Sequence, residues 1–305
     1  MRVAYDLAQA GDPYGAMQFI EEGLAVDGEN GDLLKQHGGF AFTAGAELNQ
    51  GQEEMPPEAA ELFRKALDSF DKVYAIEGAE MDVALLRNMV AANINLGDFQ
   101  QGVTLSERIL ETHGEEAAIW SIYADALQRA ERTDDAISAL DQVKGLDAAY
   151  PNVSVRQGNW LLGAGRVDEA IPVLQEAVDR GEQSTDAVAD MVFANGYQNG
   201  VQQEDWNYAV RVMGLASEFE VSALTAEKLN FWQGYSLYQV ARARQEPQTL
   251  ETANATVDMF RRALRMIQNC SDYAQRNNLE SNRQQLLTAT TTFIEIQEAI
   301  IERGR

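Results

Sequence analysis

The sequence predicts an all-α fold made of helical repeats. Residues 83–116, 117–150 and 151–184 form three consecutive blocks of 34 residues that align without a gap. Apolar residues within each block recur at spacings of three, four and seven, as expected for one apolar stripe on each of two helices. Strand-type alternation of apolar and polar residues does not extend over any length of the chain. A fixed period of this length is typical of stacked helix pairs.

The aligned blocks share a small residue at the place where the two helices of a pair would cross. The twentieth place of the three blocks is Gly102, Ala136 and Ala170. Two helices approach closely only where neither carries a bulky side chain, so these residues predict the crossing points. A turn lies between the halves of each block, with Gly97 and Gly165 in two of them, and glycine readily takes the left-handed conformation that ends a helix.

The repeat register continues toward the N-terminus with changes in length. Residues 1–30 fit the second half of a repeat, whose first helix would need residues before Met1. This pattern predicts a fragment or a processed chain, and the alternative is a first helix that is shortened by a few residues. Residues 31–82 form a repeat with an insertion through residues 51–57, and Pro57 is expected in the first turn of its second helix.

Two longer repeats, residues 185–222 and 223–270, are predicted toward the C-terminus. The first gains about five residues before Trp206, and the second has a hinge at residues 245–248 between its helices. Both keep apolar residues at helical spacing on either side of the added residues.

The C-terminal segment, residues 271–305, is predicted to cap the stack with one long helix over residues 273–303. One side of this helix is polar and the other is apolar, as the end of an open stack of repeats requires. A docking helix for another chain is the alternative. The polar side carries Gln284, Gln285, Thr288, Thr291 and Thr292, and the apolar side carries Leu286, Leu287, Phe293, Ile294, Ile296, Ile300 and Ile301.

The fullest version of the repeat pattern lies in residues 117–150, with Trp120, Tyr123, Ala124, Ala136, Ile137 and Leu140. This pattern resembles the tetratricopeptide repeat, which has a bulky residue, a small residue eight places in and a small residue at the helix crossing. The resemblance implies a right-handed superhelix (α-solenoid) of about seven repeats, taken as a single domain over residues 1–305. It also implies that the first helices line a concave side, which holds a peptide or a helix of a partner.

The resemblance assigns ligand-facing positions to the second, fifth, ninth, twelfth and thirteenth places of each repeat. A subfamily that grips a C-terminal carboxylate is disfavoured, because only Arg156 agrees with its clamp and four other positions differ. The inserted loops near Met55 and Trp206 are the alternative site. The predicted partner-binding residues are Arg87, Asp125, Gln128, Arg129, Arg156, Asn159, Phe193 and Tyr197.

The net charge of −24 limits the classes of partner. Residues 1–227 hold 14 Lys/Arg against 40 Asp/Glu. Nucleic acids and anionic membranes require a basic surface, so neither is a predicted partner. The acidic field favours a basic protein or peptide, and the alternative is an ordinary solvated surface. No apolar run approaches the ~20 residues that cross a bilayer, which predicts a soluble chain, either cytoplasmic or periplasmic.

Sequence motifs give no support for catalysis or for a metal site. The two histidines, His37 and His113, fall at a packed position and at a helix end, and both are expected to be structural. Cys270 is the single cysteine and cannot form an internal disulfide. Cysteine and histidine show no zinc-ligand spacing, and there is no glycine-rich phosphate loop. The sequence therefore predicts neither an enzyme nor a cofactor.

These observations predict a non-enzymatic scaffold or adaptor that binds a protein or peptide through its concave repeat surface. The alternative is a structural repeat protein that assembles into homo-oligomers through its convex face or its terminal helix. Sedimentation at several protein concentrations separates the two.

Overall fold

The computed structural model describes residues 2–304, apart from the side chain of Ala79. The described residues contain α-helices and no β-strand, so the fold class is all-α, as predicted. They group into two compact units with a boundary between Val153 and Ser154. We call these the N-terminal unit and the C-terminal unit.

The N-terminal unit is a stack of helix pairs in which each helix packs on the next one along the chain. The first helices of successive pairs, α3, α5 and α7, also contact one another, as repeats in a stack do. Its helices are α1 (Arg2–Gln9), α2 (Pro13–Leu24), α3 (Gly31–Asn49), α4 (Pro57–Glu77), α5 (Val83–Asn95), α6 (Phe99–His113), α7 (Ala117–Arg129) and α8 (Thr133–Leu146).

The C-terminal unit follows with helices of more varied length. A π-helical turn, Tyr197–Val201, lies between its third and fourth helices. Its helices are α9 (Val153–Gly163), which starts at the boundary, α10 (Val167–Asp179), α11 (Thr185–Gly196), α12 (Trp206–Ala216), α13 (Ala223–Arg244), α14 (Leu250–Gln268), α15 (Ser271–Arg276) and α16 (Glu280–Arg303).

Polar side chains cap the start of several helices. Asp12 Oδ1 accepts a hydrogen bond of 2.7 Å from an N–H group in the first turn of α2, and Asn30 Oδ1 accepts one of 3.1 Å in α3. Such caps satisfy main-chain donors that have no partner within the helix. In the C-terminal unit the same role belongs to Ser184, Asp205, Ser222 and Thr249.

The predicted crossing residues lie at close contacts between helices. Ala136 and Ala170 are fully buried. A Cβ atom at Gly102 would lie 3.6 Å from the Cβ of Ala126, which is an ordinary packing distance. Small residues therefore lie in the interior of these helix pairs, and their assignment to the helix crossings stays a prediction.

A second small position lies on the first helix of a pair, where a large side chain from the second helix fills the missing volume. A Cβ atom at Gly38 would lie 2.6 Å from Phe70 Cε1, and one at Gly158 would overlap Leu174. Phe70 and Leu174 are fully buried. The glycine and the large residue are thus complementary in shape, which is how interiors reach close packing.

The long C-terminal helix is present but shorter than predicted. Residues 273–303 do not form one helix, because α15 ends at Arg276 and α16 begins at Glu280. Asn278 takes a left-handed conformation, with φ of 57°, and the N–H of Leu279 donates to the Ala274 carbonyl at 2.7 Å. This bonding pattern ends a helix, and asparagine is one of the few residues that tolerate its geometry.

The apolar side of α16 covers α14 and α13. Phe293 stacks on Phe260 at 5.3 Å and lies 5.9 Å from Tyr238, while Leu286 and Ile294 are buried beside them. The predicted polar side is exposed at Thr288, Thr291 and Thr292. The buried stripe also contains three polar residues that the sequence pattern did not predict, Arg283, Thr290 and Gln297.

Candidate functional site

The predicted partner-binding residues of the N-terminal unit lie on the first helices of two pairs. Arg87 is exposed on α5. Asp125, Gln128 and Arg129 lie on α7, where Arg129 is exposed and the other two are half-buried. These four residues occupy first-helix positions that the sequence assigns to the concave side, and their role there stays a prediction.

The remaining predicted residues belong to the C-terminal unit. Arg156 and Asn159 lie on α9, and the Arg156 guanidinium lies over the ring of Trp160, 5.2 Å from its centre. Phe193 lies on α11 and Tyr197 begins the π-helical turn, and their rings stack at 5.8 Å. The candidate residues thus fall into one set in each unit, and a single continuous groove stays a prediction.

Phe193 and Tyr197 are the start of a longer run of aromatic contacts. Tyr197 meets Trp232 edge to face at 4.8 Å, Trp232 meets Phe231 at 5.2 Å, and Phe231 meets Tyr273 at 5.9 Å. The indole N–H of Trp232 donates to the Tyr273 hydroxyl at 3.0 Å. We call these five residues the aromatic strip; all but Phe231 are half-buried, so their rings are partly accessible.

A lysine closes one end of the aromatic strip. Lys228 Nζ lies 4.7 Å from the centre of the Phe193 ring and pairs with the Asp190 carboxylate. The ammonium group is held between a ring face, which attracts cations, and an acid. The charged boundary therefore limits the apolar surface at this end.

Beside the aromatic strip lies a cavity of about 540 Å³ within the C-terminal unit. Phe231 and Trp232 belong to both. Tyr235 extends the contacts further into the cavity, since its ring centre lies 6.1 Å from that of Trp232 and 5.5 Å from that of Trp206. The cavity is lined by Val201, Gln202, Glu204, Trp206, Phe231, Trp232, Tyr235, Tyr238, Leu279, Asn282, Gln285, Leu286 and Ala289.

The added residues of the repeat at 185–222 build one wall of this cavity. The π-helical turn starts at Tyr197, on the aromatic strip, and ends at Val201, on the cavity wall. A Cβ atom at Gly200 would lie 2.8 Å from the main-chain N of Ala209, so only glycine lets the turn pack this closely on α12. Turns of this type occur often at functional sites.

A polar network surrounds His37 in the N-terminal unit. The Ser69 hydroxyl donates to Nδ1 at 2.7 Å, and Nε2–H donates to Glu21 Oε1 at 3.3 Å, since a carboxylate can only accept. Lys65 Nζ donates to the same Glu21 oxygen at 2.8 Å. Burial lowers the pKa of His37 and outweighs the opposing effect of Glu21. The network holds α2, α3 and α4 together around a neutral histidine.

The order serine, histidine, glutamate resembles a hydrolase triad, but its placement does not suit that chemistry. Ser69 is 2% exposed and lies inside α4, where neighbouring main-chain N–H groups bond within the helix. Acyl transfer requires N–H donors directed at the developing oxyanion. The network around His37, which is itself buried as predicted, is therefore assigned to packing.

The described residues contain neither a metal site nor a membrane-spanning helix. Over residues 2–304, no group of three or more histidine, cysteine or acidic residues is arranged to hold a metal ion. Helices long and apolar enough to cross a membrane are absent from the same residues. Cys270 is buried, which raises the pKa of its thiol to about 12.

Sequence reasoning found Phe193 and Tyr197 but missed their aromatic neighbours. The segment 231–238 contains four aromatic residues on α13, Phe231, Trp232, Tyr235 and Tyr238. That density is a signal in the sequence, because aromatic residues dominate the energetics of interfaces. Trp206 was named only as part of the alternative loop site, and here it lines the cavity.

Comparisons with known proteins agree with this architecture. Residues 92–153 match the family model described as tetratricopeptide repeat. A tetratricopeptide repeat protein from Parabacteroides merdae superimposes with a TM-score of 0.52 at 13% identity, over 95% of this chain and 96% of that one. This likeness shows a shared fold along nearly the whole chain.

Two other solved structures are similar over a smaller part. MamA from Desulfovibrio magneticus gives a TM-score of 0.49 at 13% identity, over 60% of this chain and 93% of that chain. YrrB, described as a TPR protein with an unusual peptide-binding site, gives 0.46 at 15% identity, over 60% and 86%. No curated protein matches the sequence.

Proposed function

We propose that this chain is a non-enzymatic scaffold that binds an extended peptide or a helix of a partner protein, because residues 92–153 match the tetratricopeptide-repeat family model and the fold is shared with a tetratricopeptide repeat protein along nearly the whole chain. The aromatic strip of the C-terminal unit is the main contact surface in this proposal. The observation that carries the proposal is the placement of partly accessible rings on α11 and α13, which are first helices of their repeats.

The chemistry of the strip suits a protein partner. Tyrosine, tryptophan and phenylalanine are enriched at the centres of protein interfaces, where they bury large areas with few rotatable bonds. The solved structure of YrrB is described as having a peptide-binding site, which agrees with this class of function. Three of the four candidate residues of the N-terminal unit are charged, Arg87, Asp125 and Arg129, and the acidic field of that unit steers a basic partner toward the proposed surface.

The test begins with the intact chain as bait, identification of captured proteins by mass spectrometry, and measurement of the affinity of a purified partner. Replacing Phe193 and Tyr197 together by alanine should weaken binding roughly 30-fold, since truncation of central aromatic residues costs about 2 kcal/mol or more. Phe99→Ala is the matched control, because Phe99 is a half-buried aromatic residue at the start of α6 and belongs neither to the aromatic strip nor to the lining of the cavity.

A charge variant tests the contribution of the N-terminal unit. Replacing Asp125 and Arg129 together by alanine should weaken the same partner less and reduce the dependence of binding on salt. Circular dichroism of both double variants should show the helix content of the wild type, and affinity should be measured below the melting temperature of each variant. Equal affinity of the wild type and both variants would reject the proposal, and loss caused only by changes at Met55 would move the site to that loop.

Self-association is a second candidate, which exposed apolar side chains in the first helix pair favour. Val3 and Tyr5 on α1 are 51% and 60% exposed, and Tyr14 and Phe19 on α2 are 50% and 38% exposed. Exposed apolar side chains that form one contiguous patch mark contact surfaces. Sedimentation equilibrium over a range of concentrations decides: a constant monomer mass rejects this candidate, and a rise that Tyr5→Ser with Phe19→Ser suppresses supports it.

A further inference from the structure

We propose that the cavity of the C-terminal unit binds an organic cation with apolar substituents, such as a quaternary ammonium group, with Glu204 as its counter-ion. This inference goes beyond the scaffold function, because the cavity is a bounded site beside the aromatic strip. The ligand proposed for the cavity is a single chemical group, whereas the aromatic strip is proposed to contact the surface of a partner protein.

Aromatic side chains form most of the apolar wall of the cavity. Trp206 and Trp232 each stand at 87° to Tyr235, and Phe231 and Tyr238 complete a set of five rings. Because these ring planes are nearly perpendicular, the rings do not form a flat stack, and they line the cavity from different directions. The negative face of an aromatic ring attracts cations, and groups of such rings recognise quaternary ammonium ligands.

The charge of the wall also favours a cation. Glu204 is the one charged side chain among the described residues that line the cavity. The other non-aromatic polar side chains of the lining are the neutral amides of Gln202, Asn282 and Gln285. Arg283 is close in sequence, but its guanidinium is buried and bonds to the Glu280 carboxylate and the Ile267 carbonyl. A ligand of positive charge is therefore balanced by Glu204 and opposed by no basic group of the wall.

Backbone geometry places Glu204 at this site. Its backbone φ of 57° is in the left-handed region, which residues other than glycine, asparagine and aspartate rarely adopt. Asp205, the next residue, caps α12 through a hydrogen bond of 3.0 Å from the N–H of Tyr208. The turn between the π-helical turn and α12 is thus fixed, and Glu204 lines the cavity from it.

The volume agrees with a small organic ligand. Sites for such ligands are typically about 300–1,000 Å³, mostly apolar, with few polar groups. At about 540 Å³ the cavity has room for an ammonium group together with an attached chain. The ligand is either a free amine with an alkyl chain or an alkylated lysine side chain of a partner. Both sources share the alkylated ammonium group.

The experiment titrates the full-length protein with choline and with 3,3-dimethylbutanol, which has the same shape but carries carbon in place of the charged nitrogen. Calorimetry and tryptophan fluorescence report binding, since Trp206 and Trp232 line the cavity. We expect choline to bind about tenfold more tightly than the neutral alcohol, as a partly desolvated cation–π contact provides. A peptide with trimethyllysine, compared with its unmodified form, tests the second source of the group.

Variants separate the cavity from the strip. Glu204→Gln should weaken choline several-fold without changing the alcohol, and Trp206→Leu should weaken both while conserving an apolar side chain. The matched controls are Glu220→Gln and Trp160→Ala, neither of which lines the cavity. Phe193→Ala removes a ring of the aromatic strip that does not line the cavity, and it should leave choline binding intact.

Two results would overturn the proposal. Equal affinity for choline and the neutral alcohol would make the cavity an apolar anchor site. Absence of saturable binding by choline and by the trimethyllysine peptide would reject a cation site altogether. Neither result would change the conclusion about the scaffold function. That function is tested separately by the affinity of the aromatic-strip variants for the partner.

Discussion

Charge is divided unequally between the two compact units. The N-terminal unit, to Val153, holds 28 Asp/Glu and 10 Lys/Arg, whereas the C-terminal unit, from Ser154, holds 20 and 14. Their net charges are therefore −18 and −6, and most of the acidity lies in the first half. The same helix-pair scaffold thus carries two surfaces with different electrostatic character.

The side chains that line the cavities of the two units also differ: they are mainly charged and polar in the N-terminal unit and mainly aromatic in the C-terminal unit. The polar network of His37 and Glu21 lies in the N-terminal unit, beside a cavity of about 450 Å³ lined mainly by charged and polar groups. The C-terminal unit contains the aromatic strip and the aromatic cavity. Packing is alike in both, as Gly38 with Phe70 and Gly158 with Leu174 illustrate. Repeats therefore conserve the interface between helices and leave the exposed positions to carry function.

The largest expected effect comes from removing residues 280–305, which contain α16, from the C-terminal unit. This change uncovers Phe260 and Ile267, which are fully buried, and removes Leu286 and Ile294 from the core. Each aliphatic side chain of this size stabilises by about 1.5–3 kcal/mol when buried. We expect self-association and loss of C-terminal unit stability, measured by sedimentation and by reaction of Cys270 with a thiol reagent.

The control for this truncation is Thr288→Ala with Thr292→Ala, on the exposed side of α16. It should leave sedimentation and thiol reactivity as in the wild type. A truncated chain that stays monomeric, equally stable and closed to the reagent would contradict the capping role and support a docking helix for another chain.

A smaller effect is expected when bulk is added at one helix crossing in each unit. Ala136→Leu in α8 and Ala170→Leu in α10 should each lower the free energy of unfolding by about 1–3 kcal/mol, because a close-packed crossing has no room for the added side chain. Chemical denaturation measures the loss, and Cys270 labelling reports the C-terminal unit. If the units unfold separately, Ala136→Leu should leave Cys270 protected.

Exposed alanines provide matched controls for the alanine-to-leucine changes at the predicted helix crossings. Ala84→Leu on α5 and Ala194→Leu on α11 should change the free energy of unfolding by no more than about 0.5 kcal/mol. Unchanged unfolding in both crossing variants would mean that the repeat register is wrong.

The smallest effect is a pH dependence that distinguishes the units, since both histidines lie in the N-terminal unit. Burial lowers the pKa of His37, so the unfolded chain binds a proton more readily than the folded one. The free energy of unfolding should therefore fall as pH decreases below the ordinary histidine pKa of about 6.5. Denaturation between about pH 7.5 and about pH 5.5 measures this slope.

The variant His37→Gln should flatten that slope, and His113→Gln should preserve it. At lower pH Glu21 contributes further: burial raises its pKa, but the hydrogen bonds from Lys65 and His37 outweigh this and lower it below the usual value. Its stabilisation is present above the ordinary glutamate pKa and is lost as pH falls through the lowered one. A slope that is identical in the His37 variant and the wild type would contradict the burial argument.

The sequence by itself determined the helix pairs and the turns between their helices. These features depend on neighbours within one or two turns, so the spacing of apolar residues and the turn glycines are sufficient to predict them. Even the break at Asn278 had a local signal, since the adjacent asparagines Asn277 and Asn278 favour the left-handed conformation that ends α15. Apolar residues at helical spacing on both sides of these asparagines nevertheless led to the prediction of one continuous helix over residues 273–303.

Only the tertiary structure decided which side chains meet across repeats. His37, Ser69 and Glu21 are brought together from three helices, and Trp206 and Tyr235 meet although 29 residues separate them. Periodicity shows that a residue faces another helix, but it does not identify the side chain that it contacts. The network and the aromatic cavity depend on the offset between packed helices, which inserted residues such as the π-helical turn change, and no local pattern encodes that offset.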